Sequence, residues 1–157
     1  MRHLENIQKN DGGREMKCRE LQFGDWCCNE HGFPMQITNV GEDYAYATFE
    51  GNEGDPWEFD DKDEQPCAIE ITAEILKNNG WEEQEYTALP SEHFYVKTES
   101  GKHFLWSYGM LSLWYIYDGE INYRGRPDMG IPVKYVHQLQ QVLRLAGMTE
   151  MANNFKI

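Results

Sequence analysis

The sequence predicts an α+β fold, and three observations carry that expectation. Alternating apolar and polar residues fall in two blocks, one before residue 50 and one after residue 92. Only two stretches show helical spacing, one between the blocks and one after the second. Clusters of Gly, Pro, Asn and Asp separate the alternating runs at intervals too short for crossover helices. Strands gathered in blocks, with helices set apart from them, point to antiparallel meanders rather than βαβ units. The expected order is an N-terminal small antiparallel β-barrel or meander, a short helix, a second antiparallel β-meander, and a C-terminal helix packed on that second sheet.

Residues 1–15 are polar and end in Asp11-Gly12-Gly13-Arg14-Glu15, which predicts a disordered extension with Met16 as the true start. Residues 16–66 form the expected barrel-like subdomain, with an acidic loop at 50–65. Within it, Leu21–Cys28, Phe33–Val40 and Tyr44–Phe49 read as strands, because Phe33, Met35 and Ile37 alternate, as do Tyr44, Tyr46 and Thr48. Asn29-Glu30-His31-Gly32 and Gly41-Glu42-Asp43 read as the turns between them. Gly, Pro and charge make 50–65 a loop, in which Trp57 and Phe59 stand out as anchors or as contacts for a partner.

Residues 67–157 form the expected α+β subdomain, with a helix at 72–79, a meander at 86–124 and a helix at 133–146, the whole chain closing as one unit. Thr72 is a suitable N-cap and Gly80 a suitable stop for the first helix. The second meander runs through His93–Thr98, His103–Tyr108, Met110–Tyr117 and Glu120–Arg124, with turns at Glu99–Lys102 and Asp118-Gly119. Its aromatics Trp106, Tyr108, Trp114, Tyr115 and Tyr117 read as core rather than as a stacking platform. In the last helix Val136, Leu139, Leu143 and Ala146 form an apolar stripe widened by Val133, Val142 and Leu145. Pro132 fits its entrance and Gly147 its exit. Leu143 and Met148 flank Gly147 as Leu76 and Trp81 flank Gly80, so both helices are expected to end in one Schellman arrangement.

Leu21-Gln22-Phe23-Gly24-Asp25-Trp26, Ile69–Trp81 and Lys134-Tyr135-Val136-His137-Gln138-Leu139-Gln140 together resemble a family of short proteins of unassigned function from gut Bacteroidetes and their phages and mobile elements. That family runs from a Leu-x-x-Gly-Asn segment, through a Leu-Thr-Glu-Glu helix ending in Gly-Phe, to a Tyr-Val-His-Gln-Leu-Gln helix. The likeness spans Met16 to about Met148 and also implies a start at Met16. Asp25 stands where the pattern has Asn, Trp81 where it has Phe, and Arg144–Met148 where a Thr-Gly is usual. The resemblance brings no established activity and no assigned catalytic residues.

A chain of 157 residues with 40% hydrophobic and 13% aromatic residues can close a core without metals or disulfides. The net charge is −13, and residues 50–85 hold 13 Asp or Glu against Lys62 and Lys77. A field of that sign disfavours direct contact with nucleic acid or an anionic membrane. No apolar run reaches the roughly 20 residues needed to span a bilayer, and the N-terminus lacks the apolar core of a secretory signal, so a cytoplasmic location is expected. Cys18, Cys27, Cys28 and Cys67 are then expected as thiols.

Cys27, Cys28 and His31 are weak metal-ligand candidates, since neighbouring residues on a strand face opposite ways and one cysteine is expected in the core with the other in solvent. No local signature marks a Cys–His nucleophile, and no P-loop, dinucleotide or EF-hand spacing is present. Asp55, Asp60, Asp61, Asp63 and Glu64 match a cation loop in composition alone. On the last helix, Lys134, His137, Gln138 and Gln141 are polar positions that burial of the stripe leaves unexplained, and they are binding candidates together with Trp57 and Phe59. The expected function is that of a non-enzymatic cytoplasmic accessory protein, without cofactor, acting through contacts with a protein partner. An acidic nucleic-acid mimic directed at a DNA-binding enzyme is the alternative, and a thiol or zinc enzyme ranks behind both.

Overall fold

The computed structural model describes residues 14–83, 93–98, 102–117, 120–121 and 130–157, with backbone alone for 114–117 and 120–121. It is an α+β structure with two antiparallel sheets, and its chain contacts divide into two units. Residues 1–13 of the expected extension, the turns at Glu99–Lys102 and Asp118-Gly119, and the ends of the second meander lie wholly or partly outside the described residues. Arg14 and Glu15, expected in that disordered extension, are instead held in place by the Arg14 carbonyl accepting the Ala68 N–H and by the pairing of Glu15 with Cys67.

The first unit comprises residues up to Glu70 together with Tyr135–Phe155 and Ile157. After a 3-10 turn at Cys18–Glu20, its sheet runs β1 (Trp26–Cys28), β2 (Pro34–Val40), β3 (Tyr44–Thr48) and β4 (Trp57–Asp60), hydrogen-bonded in that order. This is the meander form of the expected architecture, with no β1–β4 ladder among the described residues. Strand β4 is a departure, because the acidic stretch 50–65 is not all loop. Trp57 and Phe59 alternate with Glu58 and Asp60, and that period of two is enough for a strand once β3 supplies the partner edge. Phe59 sits opposite Ala45, whose small side chain leaves room for the ring, and both are fully buried. Met16, Cys18, Leu21, Cys27, Met35, Ile37 and Ala47 complete this core.

The C-terminal segment belongs to the first unit too, which corrects the expectation that it covers the second meander. Helix α2 (Val136–Leu145) lies against β1 and against the short α3 (Thr149–Asn153). Its buried face is Val136, His137, Leu139, Gln140 and Leu143. Leu145 is 90% exposed, and Ala146 is exposed as well. The stripe is therefore rotated from the one apolar spacing predicts: Gln140, four residues after Val136 and three before Leu143, occupies the position that completes the i, i+3, i+4, i+7 pattern.

The second unit comprises Ile71–Lys134 with Lys156. Helix α1 (Ala73–Asn78) is capped by Thr72, whose hydroxyl accepts from the Ile75 N–H at 3.2 Å. The sheet holds β5 (Glu82–Glu83), β6 (His93–Lys97), β7 (Lys102–Ser107), β8 (Met110–Tyr117) and β10 (Ile131–Pro132), in the order β10-β8-β7-β6-β5, while β9 (Glu120–Ile121) pairs with β8. Pro132 is not the helix entrance. It stands opposite Met110 on an edge strand, where a missing N–H breaks no ladder, and α2 begins only after Tyr135.

Each unit contains one of the two expected Schellman ends. The Met148 N–H donates to the Leu143 carbonyl at 2.8 Å past Gly147 at φ +82°, and the Trp81 N–H donates to the Leu76 carbonyl at 3.0 Å past Gly80 at φ +83°. A glycine is needed at both positions because the left-handed backbone strains any residue with a Cβ.

Candidate functional site

Helix α2 presents to the first unit a row of polar side chains most of whose hydrogen bonds are made internally, His137 Nδ1 and Arg144 Nη2 being buried without a partner among the described residues. Gln140 is fully buried. Its Nε2 donates to the Gly24 carbonyl at 2.8 Å and to the Ala152 carbonyl at 2.9 Å, while its Oε1 accepts from the Trp26 N–H at 2.8 Å. One side chain thereby ties β1 and α3 to α2. Of the three backbone groups it meets, the Trp26 N–H is the one that would otherwise be stranded, since the Gly24 and Ala152 carbonyls have second donors in Gln36 and the Phe155 N–H. Asp25, also fully buried, accepts from the Gln22 N–H, from Gln141 Nε2 and from Arg144 Nη1. Burial nevertheless pushes its carboxyl above the usual range, since desolvation outweighs those hydrogen bonds and the Arg144 charge.

The α2 candidates are largely accounted for by this lattice. Gln141 is occupied by Asp25 and by the Glu20 carbonyl, at 2.8 Å each. Gln138 accepts the Tyr135 N–H through Oε1 at 3.2 Å, closing the first turn of the helix. His137, expected on the surface, is 2% exposed and stacks on Tyr135 with ring centroids 6.1 Å apart, so its position is a buried one. Burial, aided by the nearby Arg14 charge, lowers its pKa to about 4. The imidazole is therefore neutral at physiological pH. Lys134 is exposed and belongs to the second unit.

Of the two β4 candidates, Phe59 is a core residue with no exposed surface, a correction that follows from its place opposite Ala45. Trp57 is half-buried and packs on the edge of the same core. In the second unit Trp106 is buried, its indole N–H donating to the Val133 carbonyl at 2.7 Å, while Tyr108 is 61% exposed.

Carboxylates also collect elsewhere in the first unit. Glu15, Glu30, Asp61, Asp63 and Glu64, with Lys62, Gln65 and Cys67, line a recess of about 250 Å³. The Asp61 carboxylate accepts the Cys18 N–H at 2.8 Å, and that bond holds its pKa below the usual range. Glu64 is shifted the other way, first by burial and then by the charge of Glu30. Composition singled out Asp61, Asp63 and Glu64, but Glu15 and Glu30 were not visible as their neighbours. They arrive from distant segments through the isolated pairings of Cys67 with Glu15 and with Cys28. A turn–strand–turn in which carboxylates recur near a chain return is the only signal that points to such a gathering.

The metal candidates do not converge. Cys27 and Cys28 are both buried, a departure from the expected split between core and solvent, because β1 is covered on both faces. His31 is exposed and lies 3.5 Å from Glu30. Among the described residues no group of three or more His, Cys, Asp or Glu is placed to hold a metal ion, and none of their helices is long and apolar enough to cross a membrane. All four cysteines are free thiols. No family model, curated protein or solved structure matches the chain.

Proposed function

We propose that this chain is a non-enzymatic accessory protein of the cytoplasm, of the kind carried by mobile elements, that engages a basic segment of a protein partner through the recess around Asp61–Glu64. The observation that carries this reading is the crowding of five carboxylates from three chain segments around one opening, with Lys62 the single cation in its lining. Like charges this close repel, as the effect of Glu30 on Glu64 records, and an incoming Lys or Arg relieves that repulsion. At about 250 Å³ the recess is below the roughly 300–1,000 Å³ typical of small-molecule pockets, which favours a side chain of a larger partner over a free metabolite. Half-buried Trp57, on β4 leading into that segment, offers an apolar contact beside it.

The test is binding of a fluorescent Lys/Arg-rich peptide, followed by anisotropy across a salt series. Tight binding that weakens with salt is expected, and the double variant Glu30→Lys/Asp63→Lys should weaken it by at least about tenfold. Equal affinity of both proteins for the peptide would remove the recess as the site. The nucleic-acid-mimic alternative also needs a basic partner, and it differs in predicting that duplex DNA displaces this protein from a DNA-binding enzyme.

A further inference from the structure

Cys28 and Cys67 stand directly opposite each other in an antiparallel pairing. The Cys28 N–H donates to the Cys67 carbonyl at 2.9 Å and the Cys67 N–H donates to the Cys28 carbonyl at 2.8 Å, which makes this a doubly hydrogen-bonded pair. Residues so placed have side chains on the same face and Cα atoms about 5.5 Å apart, inside the roughly 4.4–6.8 Å that a disulfide spans. The Cys28 thiol donates to the Cys67 carbonyl, its sulfur 3.4 Å from that oxygen. Cys27, next along β1, points to the other face and is sealed in the core, as is Cys18. Cys28 is buried, whereas Cys67 is partly exposed and lines the acidic recess.

We propose that Cys28 and Cys67 are a reversible oxidation site at which a small neutral peroxide, entering by the recess, converts the two thiols into an intramolecular disulfide. The Cys67 sulfur, as thiolate, attacks one peroxide oxygen. The O–O bond breaks, Cys67 becomes a sulfenic acid, and the leaving hydroxide takes up the thiol proton as the first water. The Cys28 sulfur then attacks the Cys67 sulfur. The S–S bond forms, the S–O bond breaks, and the Cys28 proton leaves with that oxygen as the second water. The two sulfurs together lose two electrons, and the peroxide gains them.

The surroundings select the oxidant and set the pace. Five carboxylates around Cys67 repel the anionic disulfide of glutathione, while an uncharged peroxide meets no such barrier. The hydrogen bond to Cys67 and then burial hold the Cys28 thiol protonated, so this is a slow, protected pair rather than a rapid sensor. Cβ atoms in a doubly hydrogen-bonded pair stand farther apart than a relaxed disulfide prefers, so the bond should be readily reduced.

The full chain is treated with hydrogen peroxide or with oxidised glutathione at equal concentration and digested without reduction, and the linked peptides are identified by mass spectrometry. A Cys28–Cys67 link is expected with peroxide, formed at least about tenfold faster than with oxidised glutathione and reversed by a neutral dithiol. In Cys28→Ser, dimedone should trap a sulfenic acid on Cys67, and in Cys67→Ser no intramolecular link should form. A link through Cys18 or Cys27, oxidation of Cys67 to sulfinic acid with no link in the unaltered chain, or equal rates with the two oxidants would overturn the proposal. Circular dichroism of both Ser variants ensures that the readout concerns the folded pair.

Discussion

The two polar regions of the first unit use the same side-chain chemistry to opposite ends. Around α2, one carboxylate, three glutamines and one arginine are closed upon backbone groups and upon each other, and Asp25 and Gln140 retain no exposed surface. Around Asp61–Glu64, five carboxylates face a recess open to solvent with one lysine among them. A hydrogen bond already made inside the fold is not available to a ligand, which holds for Gln140, Gln141 and Asp25, while His137 Nδ1 and Arg144 Nη2 on the same face are buried without a partner among the described residues. The recess leaves most of its carboxylates facing solvent, although Asp61 accepts the Cys18 N–H and Glu30 lies beside His31, and the proposed binding reading rests on that difference.

The contrast breaks most visibly at Gln140. Gln140→Leu keeps the helix and approximately the volume, but strands the Trp26 N–H and removes one donor each from the Gly24 and Ala152 carbonyls, which keep Gln36 Nε2 and the Phe155 N–H. At roughly 1–3 kcal/mol for the stranded N–H and about 1 kcal/mol for each of the two lost bonds, a loss of about 4 kcal/mol is expected. Urea denaturation at neutral pH measures it. A loss below about 1 kcal/mol would mean that the lattice does not hold β1 and α3 to α2.

His137 gives the next largest effect, and its sign is set by burial. Its folded pKa of about 4 lies below the usual 6.5, so the neutral ring is the form the fold accepts. The contribution is complete above pH 6.5 and is lost as pH falls toward 4, where the unfolded chain takes up a proton that the folded one refuses. A difference of that size corresponds to about 3 kcal/mol, superimposed on the titration of the carboxylates. Stability curves at pH 7 and pH 4.5 for the parent chain and for His137→Leu should therefore diverge, the variant losing less on acidification. Parallel curves would place the imidazole in contact with water.

Local signals were legible in the sequence and long-range ones were not. Thr72, Gly80 and Gly147 act through groups within five residues, so the cap and both helix ends could be read directly. Strands β2 and β3 were legible because their alternation is strict. Strand β4 was hidden by its acidic surroundings, since its four residues become a strand only through the edge that β3 offers. The burial of His137 and Gln140 depends on a second surface over α2, which apolar spacing alone cannot report. The pairing of Cys28 with Cys67 joins residues whose proximity is fixed by a chain return, and neither cysteine carries a local mark of it.

The smallest effect sharpens the comparison from the recess side. Glu30→Gln removes one charge that raises the Glu64 pKa while leaving burial, the larger cause, in place. Glu64 should therefore fall part of the way toward its usual 4.5, which carboxyl-detected NMR titration reads directly. A carboxyl whose folded pKa is raised contributes fully below its unfolded value and loses that contribution as pH rises through the folded one. Relieving the repulsion should accordingly stabilise the chain slightly at pH 7. Much of Glu64 is open to solvent screening, so the gain should stay below about 0.5 kcal/mol. A neutralised carboxylate that stabilises is the reverse of the Gln140 result and is the sign of a surface arranged for something other than stability. A destabilisation of 1 kcal/mol or more, about what a structural hydrogen bond contributes, would instead class Glu30 with Asp25 as part of the framework.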